Sequence, residues 1–203
     1  LNNSEALLNL GNIYYNGFGV KQNYSKAKFY FELSSQLNNS QALFNLGCQY
    51  IFGYGVRKNY LLAKDYFELS AKLGNQCAWY YLGRLFTLDF IFDENIPKAS
   101  TYFLKCIEIH NESVVVYNSK DGYYTNKYKN NPFYYACNEL GLIYLIQYNE
   151  NEKAYEYLKE AGLNEYPFGQ NSFALFNLLY NQKVEESKYM FKKASQKNFA
   201  LST

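Results

Sequence analysis

The stretch Ala42-Leu-Phe-Asn-Leu46-Gly47 decides how this chain is read, because it echoes Ala6-Leu-Leu-Asn-Leu10-Gly11 at a distance of 36 residues. A second phrase keeps the same step: Lys26-Ala27 with Tyr30-Phe31 is followed 36 residues later by Ala63 with Tyr66-Phe67. Leu82-Gly83, Lys98-Ala99 and Tyr102-Phe103 carry it into a third copy. Separate landmarks held at one period mark a tandem array of one supersecondary unit. A fourth copy runs through Ala136, Leu140-Gly141, Lys153-Ala154 and Tyr157-Leu158. Its Gly-to-Ala interval is 13 residues where the first copies have 16, which predicts a shorter turn. A fifth copy is read from Ala174-Leu-Phe-Asn-Leu178 to Ala194, with Leu179 in place of the helix glycine. The repeats are placed at about 4–39, 40–75, 76–110, 134–163 and 172–197, with an insertion at about 111–132. All belong to one helical-repeat domain, 1–203.

Each copy reads as two antiparallel helices. Ala6, Leu7, Leu10 and Tyr14 form one apolar stripe of helical period; Ala27, Tyr30, Phe31 and Ser34 form the next. Gly17-Phe-Gly19-Val20 and Gly53-Tyr-Gly55-Val56 separate them, and glycines so placed stop a helix and accept positive φ. Asn23, Asn59 and Asn95 recur just before the second helix, where a capping oxygen is wanted. Mid-helix glycine costs about 1 kcal/mol relative to alanine. Its recurrence at Gly11, Gly47, Gly83 and Gly141 therefore predicts a contact too close for a side chain.

The totals narrow the function classes. The chain has 203 residues, 48% hydrophobic and 19% charged, with 24 Tyr and 16 Phe, so it has ample apolar material for a core. Its formal charge is +2 without a basic run, which gives no polyanion or anionic-membrane signature. No apolar stretch approaches the ~18 residues of a membrane span. Cys48, Cys77, Cys106 and Cys137 form no close pair, and His110 is the single histidine, so no structural zinc set is expected. Free thiols favour a reducing compartment. Asn2, Asn23, Asn38 and Asn111 open Asn-x-Ser triplets, but an Asn23 cap is at odds with a glycan there, and a cytoplasmic setting is expected. The chain starts at Leu1, and Asn198-Phe-Ala200 reads as the opening of a further copy, so we expect a segment of a longer protein.

At these residues the chain resembles the Sel-one-like repeat family, relatives of the tetratricopeptide repeats. The pattern is clearest in the second copy: Ala42, Leu46-Gly47, Tyr50, Gly53-Tyr-Gly55-Val56, Asn59, Ala63, Tyr66-Phe67, Ala71 and Gly74-Asn75. Leu62 stands where the family has lysine. The resemblance implies an all-α, right-handed superhelix whose first helices line an inner face, used as an adaptor in protein complexes. Secreted members with a disulfide in each repeat carry closely spaced cysteines that this chain lacks.

A solenoid of helix pairs presents a concave surface suited to peptides and partner segments. By analogy with tetratricopeptide geometry, groove positions are Leu8, Asn12 and Tyr15, then Phe44, Cys48 and Ile51. Tyr80, Arg84 and Thr87 follow in the third copy, and Asn138 and Leu142 in the fourth. We expect a non-catalytic scaffold binding proteins or peptides, without metal, cofactor, nucleic-acid partner or membrane span. Two other classes stay open: an RNA-binding repeat protein, and a secreted disulfide-bearing enzyme. The insertion holds Val114-Val-Val-Tyr117 and Asp121-Gly122, which read as a small β-hairpin.

Overall fold

A computed structural model of the chain describes residues 3–88, 95–117, 131–163 and 166–200. Among them are ten helices and no strand. They are α1 (Ser4–Asn16), α2 (Tyr24–Ser35), α3 (Ser40–Phe52), α4 (Tyr60–Lys72) and α5 (Gln76–Phe86). Then come α6 (Ile96–Tyr117), α7 (Pro132–Ile146), α8 (Asn151–Leu163), α9 (Pro167–Tyr180) and α10 (Val184–Ala200). The chain forms two compact units, Leu1–Ala99 and Ser100–Thr203. In the first, α1 to α5 pack each on the next; in the second, α7 packs on α8, α8 on α9 and α9 on α10.

Asparagine starts most of these helices. Asn23, Asn59 and Asn95 accept from Lys26, Leu62 and Lys98 backbone N–H groups at 2.9, 3.0 and 2.9 Å, as their spacing predicted. Asn3, Asn39, Asn75 and Asn131 cap α1, α3, α5 and α7 in the same way. Removing such a cap costs about 1 kcal/mol. Each hairpin is then closed by one backbone bond. The amides of Asn23, Asn59, Asn95, Glu150 and Lys183 donate to the carbonyls of Tyr14, Tyr50, Phe86, Tyr144 and Asn177, at 2.8–3.2 Å. This recurring bond fixes the register of all five hairpins.

The helix glycines are contact points. A Cβ built on Gly11 would lie 2.4 Å from the Phe31 ring, and one on Gly47 would lie 2.5 Å from the Phe67 ring. Gly141 meets the Leu158 side chain at 2.7 Å. Phe31, Phe67 and Leu158 are fully buried and cannot yield. Beside this contact, parallel tyrosine pairs recur: Tyr14 on Tyr30, Tyr50 on Tyr66 and Tyr144 on Tyr157, at 5.6, 5.7 and 5.6 Å. The lysine of the Lys-Ala pair sits over the first ring of the pair, or over Phe86 in that place. Lys26 lies 5.1 Å from Tyr14, Lys98 4.5 Å from Phe86 and Lys153 5.1 Å from Tyr144. Ser34 and Ser70 hold the open end of the first two hairpins, each Oγ donating at 2.7 Å to the carbonyls of Ser4 and Ser40.

Three expectations change. The fifth hairpin begins at Pro167, not near residue 172, because Asn177 occupies the carbonyl position of Tyr50. That puts Ala174, not Leu179, at the helix-glycine position, and Ala174 is fully buried whereas Leu179 is 64% exposed. Val114–Tyr117 is the last turn of α6, so it is helix rather than the strand expected there; Asp121-Gly122 lies outside the described residues. α10 runs unbroken to Ala200, so Asn198 opens no new hairpin. The short fourth turn is as expected, from Gln147 to Glu150 against Gly17 to Asn23 in the first copy.

Candidate partner-binding face of the first helices

Side-chain amides link the first helices of the first unit. Asn75 Nδ2 donates to Gln41 Oε1 at 3.3 Å, and Gln41 Nε2 donates to Asn45 Oδ1 at 3.0 Å. Asn45 Nδ2 then donates to Asn12 Oδ1 at 3.1 Å. The relay runs from the residue capping α5, through α3, to α1. A primary amide has two N–H groups and two carbonyl lone pairs. Asn45 and Gln41 each spend one of both on the relay and retain one of both. Gln41 is exposed and Asn12 and Asn45 are half-buried, so these remaining valences are within reach of solvent.

Five of the residues expected to line a groove, on the helices joined by this relay, keep partial or full access. Asn12 is its terminus. On α5, exposed Arg84 donates through Nη1 to Tyr80 Oη at 3.4 Å. Thr87 Oγ1 turns back to the Arg84 carbonyl at 2.9 Å, which closes the helix end. Ile51 is half-buried on α3.

The others are committed to packing. Leu8 is 5% exposed and joins Ala27, Phe31, Ala42 and Leu46 in one core cluster, because its side of α1 meets both α2 and α3. It does not line a groove. Asn138 is 5% exposed within α7 and is likewise withdrawn from the surface. Leu142 is half-buried against the cluster of Ala154, Leu158, Phe173 and Phe176. Phe44 fills the space between copies, 5.6 Å from Phe67 and 5.3 Å from Tyr81. Tyr15 packs edge-on against Tyr24 and Tyr54 at 5.3 and 6.0 Å. Burial, reinforced by Cys48, Tyr54 and Tyr24, pushes its hydroxyl up to about 12. Gln41, Asn45 and Asn75 were not foreseen as site residues.

Cys48, Cys77 and Cys137 sit in surroundings that disfavour the thiolate. All four cysteines are free thiols. Burial first, then Cys77, pushes Cys48 up to about 12, and burial also raises Cys77 and Cys137. Thiols held that far up stay protonated near neutral pH, whereas attack and metal ligation need the thiolate. None of the four is joined to another as in the disulfide-bearing members. His110 stacks on Phe133 at 4.2 Å, with Nδ1 3.4 Å from Asn131 Nδ2. Among the described residues, no group of three or more His, Cys, Asp or Glu side chains is placed to hold a metal, and no helix is long and apolar enough to cross a membrane.

Comparison with known proteins agrees with this geometry. The family model for the Sel1 repeat matches residues 4–39, 40–75 and 135–165. No curated protein matches the chain in sequence. Among solved structures, it is similar to a Sel1 repeat protein from Oxalobacter formigenes, with TM-score 0.76 and 19% identity over 97% of this chain and 72% of that one. It is also similar to a protective antigen of uropathogenic Escherichia coli strains that displays an SLR fold, with TM-score 0.75 and 23% identity over 95% of this chain. The present chain spans 38% of that antigen. An immunity protein from Pseudomonas aeruginosa follows at TM-score 0.59 and 14% identity, over 94% of this chain and 64% of that one. At these identities the structures speak for the fold. Sel1 repeats are commonly protein-interaction scaffolds, and the fold is generally non-enzymatic. With three matched repeats spanning half its length and the packing of each explained by its own residues, the chain belongs to the Sel1 repeat family.

Proposed function

We propose that this chain is a non-catalytic scaffold that holds an extended segment of a partner protein along the first helices of its first unit. The amide relay from Asn75 to Asn12 carries this reading. An extended peptide offers one N–H and one C=O per residue, and a row of side-chain amides with one donor and one acceptor left over is the complementary surface. Arg84 and Tyr80 on α5 add a cation and a ring for the partner's side chains. Such a surface reads backbone more than sequence, which suits an adaptor.

Nucleic acid is a poorer occupant. A base-reading repeat protein needs the same kinds of side chain at one position of each unit. The position of Asn12 carries Cys48 and Arg84 in the next two copies, and the asparagine of Asn9 and Asn45 becomes Tyr81, so neither position keeps one side chain through the first three copies. The free thiols and the engagement of Asn23 as a helix cap support a cytoplasmic setting.

The test is selection of binding peptides from a displayed library against the whole chain, followed by titration of a selected peptide. Asn45→Leu, which interrupts the relay, is expected to weaken binding about tenfold or more, as loss of one or two well-made hydrogen bonds would. N-methylation of the central peptide backbone should do the same. Selected peptides that bind Asn45→Leu and Arg84→Ala as tightly as the parent would place the site elsewhere.

A further inference from the structure

A second site follows from what the fifth hairpin lacks. Between the first and second hairpins, the turn Gly53-Tyr-Gly55-Val56 lies over the start of α2. Tyr54 stacks on Tyr24 at 5.0 Å, and Gln49 Nε2 donates to the Tyr24 carbonyl at 3.0 Å. In the fifth hairpin the turn is only Asn181 to Lys183. By the register of the closing backbone bonds, Phe176 takes the place of Gln49, and Asn151 that of Tyr24. No Gly-x-Gly turn is present to fold over α8, and a cleft of about 960 Å³ lies there, walled by Tyr155, Phe176 and Tyr180.

The charge around this wall is unbalanced. Glu150, Glu185 and Glu186 are matched by Lys153, Lys188 and Lys183 at 2.6, 2.8 and 3.4 Å. Glu152 and Glu156, one turn apart on α8, both line the cleft and have no such lysine among the described residues. Lys183 is already paired, so two carboxylates face a single remaining ammonium, that of Lys159. Lys159 itself lies over the Tyr155 ring at 5.7 Å, which shows that the wall accepts a cation. Phe176 and Tyr180 stack at 4.9 Å, and Tyr180 is 49% exposed, leaving an accessible aromatic surface.

We propose that this cleft takes an arginine side chain presented by a partner's peptide. A guanidinium is planar and weakly hydrated: it lies flat on a ring while its N–H fork reaches a carboxylate. Aromatic rings beside two glutamates that share one lysine meet both demands at once. An acidic or purely apolar segment would leave those carboxylates unmatched. The site is separate from the amide relay of the first unit and stands whether or not that face binds a peptide.

The experiment uses the whole chain, isotope-labelled, and a capped alanine-based peptide carrying one arginine, beside the same peptide with citrulline in its place. Citrulline keeps the shape and loses the charge. The arginine peptide is expected to shift the amide resonances of residues 151–156 and 176–183, and the citrulline peptide to leave them in place. Glu152→Gln with Glu156→Gln should weaken the arginine response about fivefold or more, which corresponds to about 1 kcal/mol. Tyr180→Ala should weaken it to a similar degree. Both variants change exposed side chains, and an unaltered spectrum elsewhere in the chain reports that they fold. Equal shifts from the two peptides, or arginine shifts that persist in the double glutamine variant, would overturn the proposal.

Discussion

The junction between the first two hairpins is closed, and the junction between the last two is open. In the closed one, a Cβ added to Gly55 would lie 2.6 Å from Tyr24 Cβ and 3.0 Å from the Tyr24 carbonyl carbon. In the open one, a turn from Asn181 to Lys183 leaves Tyr155 and its neighbouring glutamates beside a cleft. The hairpins themselves are built alike, with the same closing backbone bond and, in every copy but the last, a helix glycine. What varies is the linker between the two helices of a pair, and that is where surface chemistry is free to change without loss of fold.

The strongest check is a feature both regions share. Gly47→Val drives a branched side chain into the buried Phe67 ring, and Gly141→Val drives one into Leu158, whose backbone N is 3.1 Å from the added Cβ. Each is expected to cost about 3 kcal/mol in chemical denaturation, the upper part of the range for overpacking. A cost below ~0.5 kcal/mol at either site would mean that its hairpin relaxes freely and that the glycine is not a contact point.

The closed junction itself is tested by two glycines one period apart. Gly19 and Gly55 have φ of 69° and 71°, so alanine is strained at both. Gly19 has nothing within 4 Å of its added Cβ, whereas Gly55 meets Tyr24. Gly19→Ala should cost about 1 kcal/mol from backbone strain alone, and Gly55→Ala about 2 kcal/mol. Equal costs would mean that the turn does not rest on α2.

Most of this fold was legible because it repeats. Helix glycines, turn glycines and capping asparagines each act through local geometry, so each recurs with the period and shows in one sequence. The fifth copy was misplaced because Ala174-Leu-Phe-Asn-Leu178 copies the wording of Ala42-Leu-Phe-Asn-Leu46 but not its packing. Gly169, Phe173 and Ala174 are the residues buried where Ala42, Leu46 and Gly47 are. The relay was hidden for the opposite reason. Gln41 corresponds to Glu5 and Cys77, and Asn45, which repeats Asn9, gives way to Tyr81, so the chain of amides does not recur as a set with the period. Leu8 and Asn138 were assigned to a groove by analogy of register, which carries no information on how closely the neighbouring helix approaches.

Alkaline titration sharpens the same contrast with a smaller signal. Tyr15 is held near 12 in the folded chain against an ordinary 10, chiefly by burial in the closed junction. Between those values the unfolded chain releases a proton that the folded chain keeps. The stabilisation is therefore complete below pH 10 and is lost as pH rises toward about 12. Tyr54→Ala uncovers Tyr15, so part of the tyrosine absorbance change should move to lower pH. An unchanged titration would mean that Tyr54 does not shelter it.

The smallest effect concerns the lysine over the first-helix ring, which both units have and the second copy lacks at Leu62. Lys98 Nζ lies 4.5 Å from the centre of the Phe86 ring, close enough for a cation–π attraction. At a solvent-facing site this is worth about 0.5 kcal/mol. Lys98→Met retains most of the alkyl stem and removes the charge, so it separates attraction from packing. The expected loss is about 0.5 kcal/mol for this variant. It should shrink little with added salt, because the ammonium and the ring quadrupole interact at a separation shorter than the screening length. Lys98→Met as stable as the parent would reduce the family's Lys-Ala pair, in this chain, to its alanine.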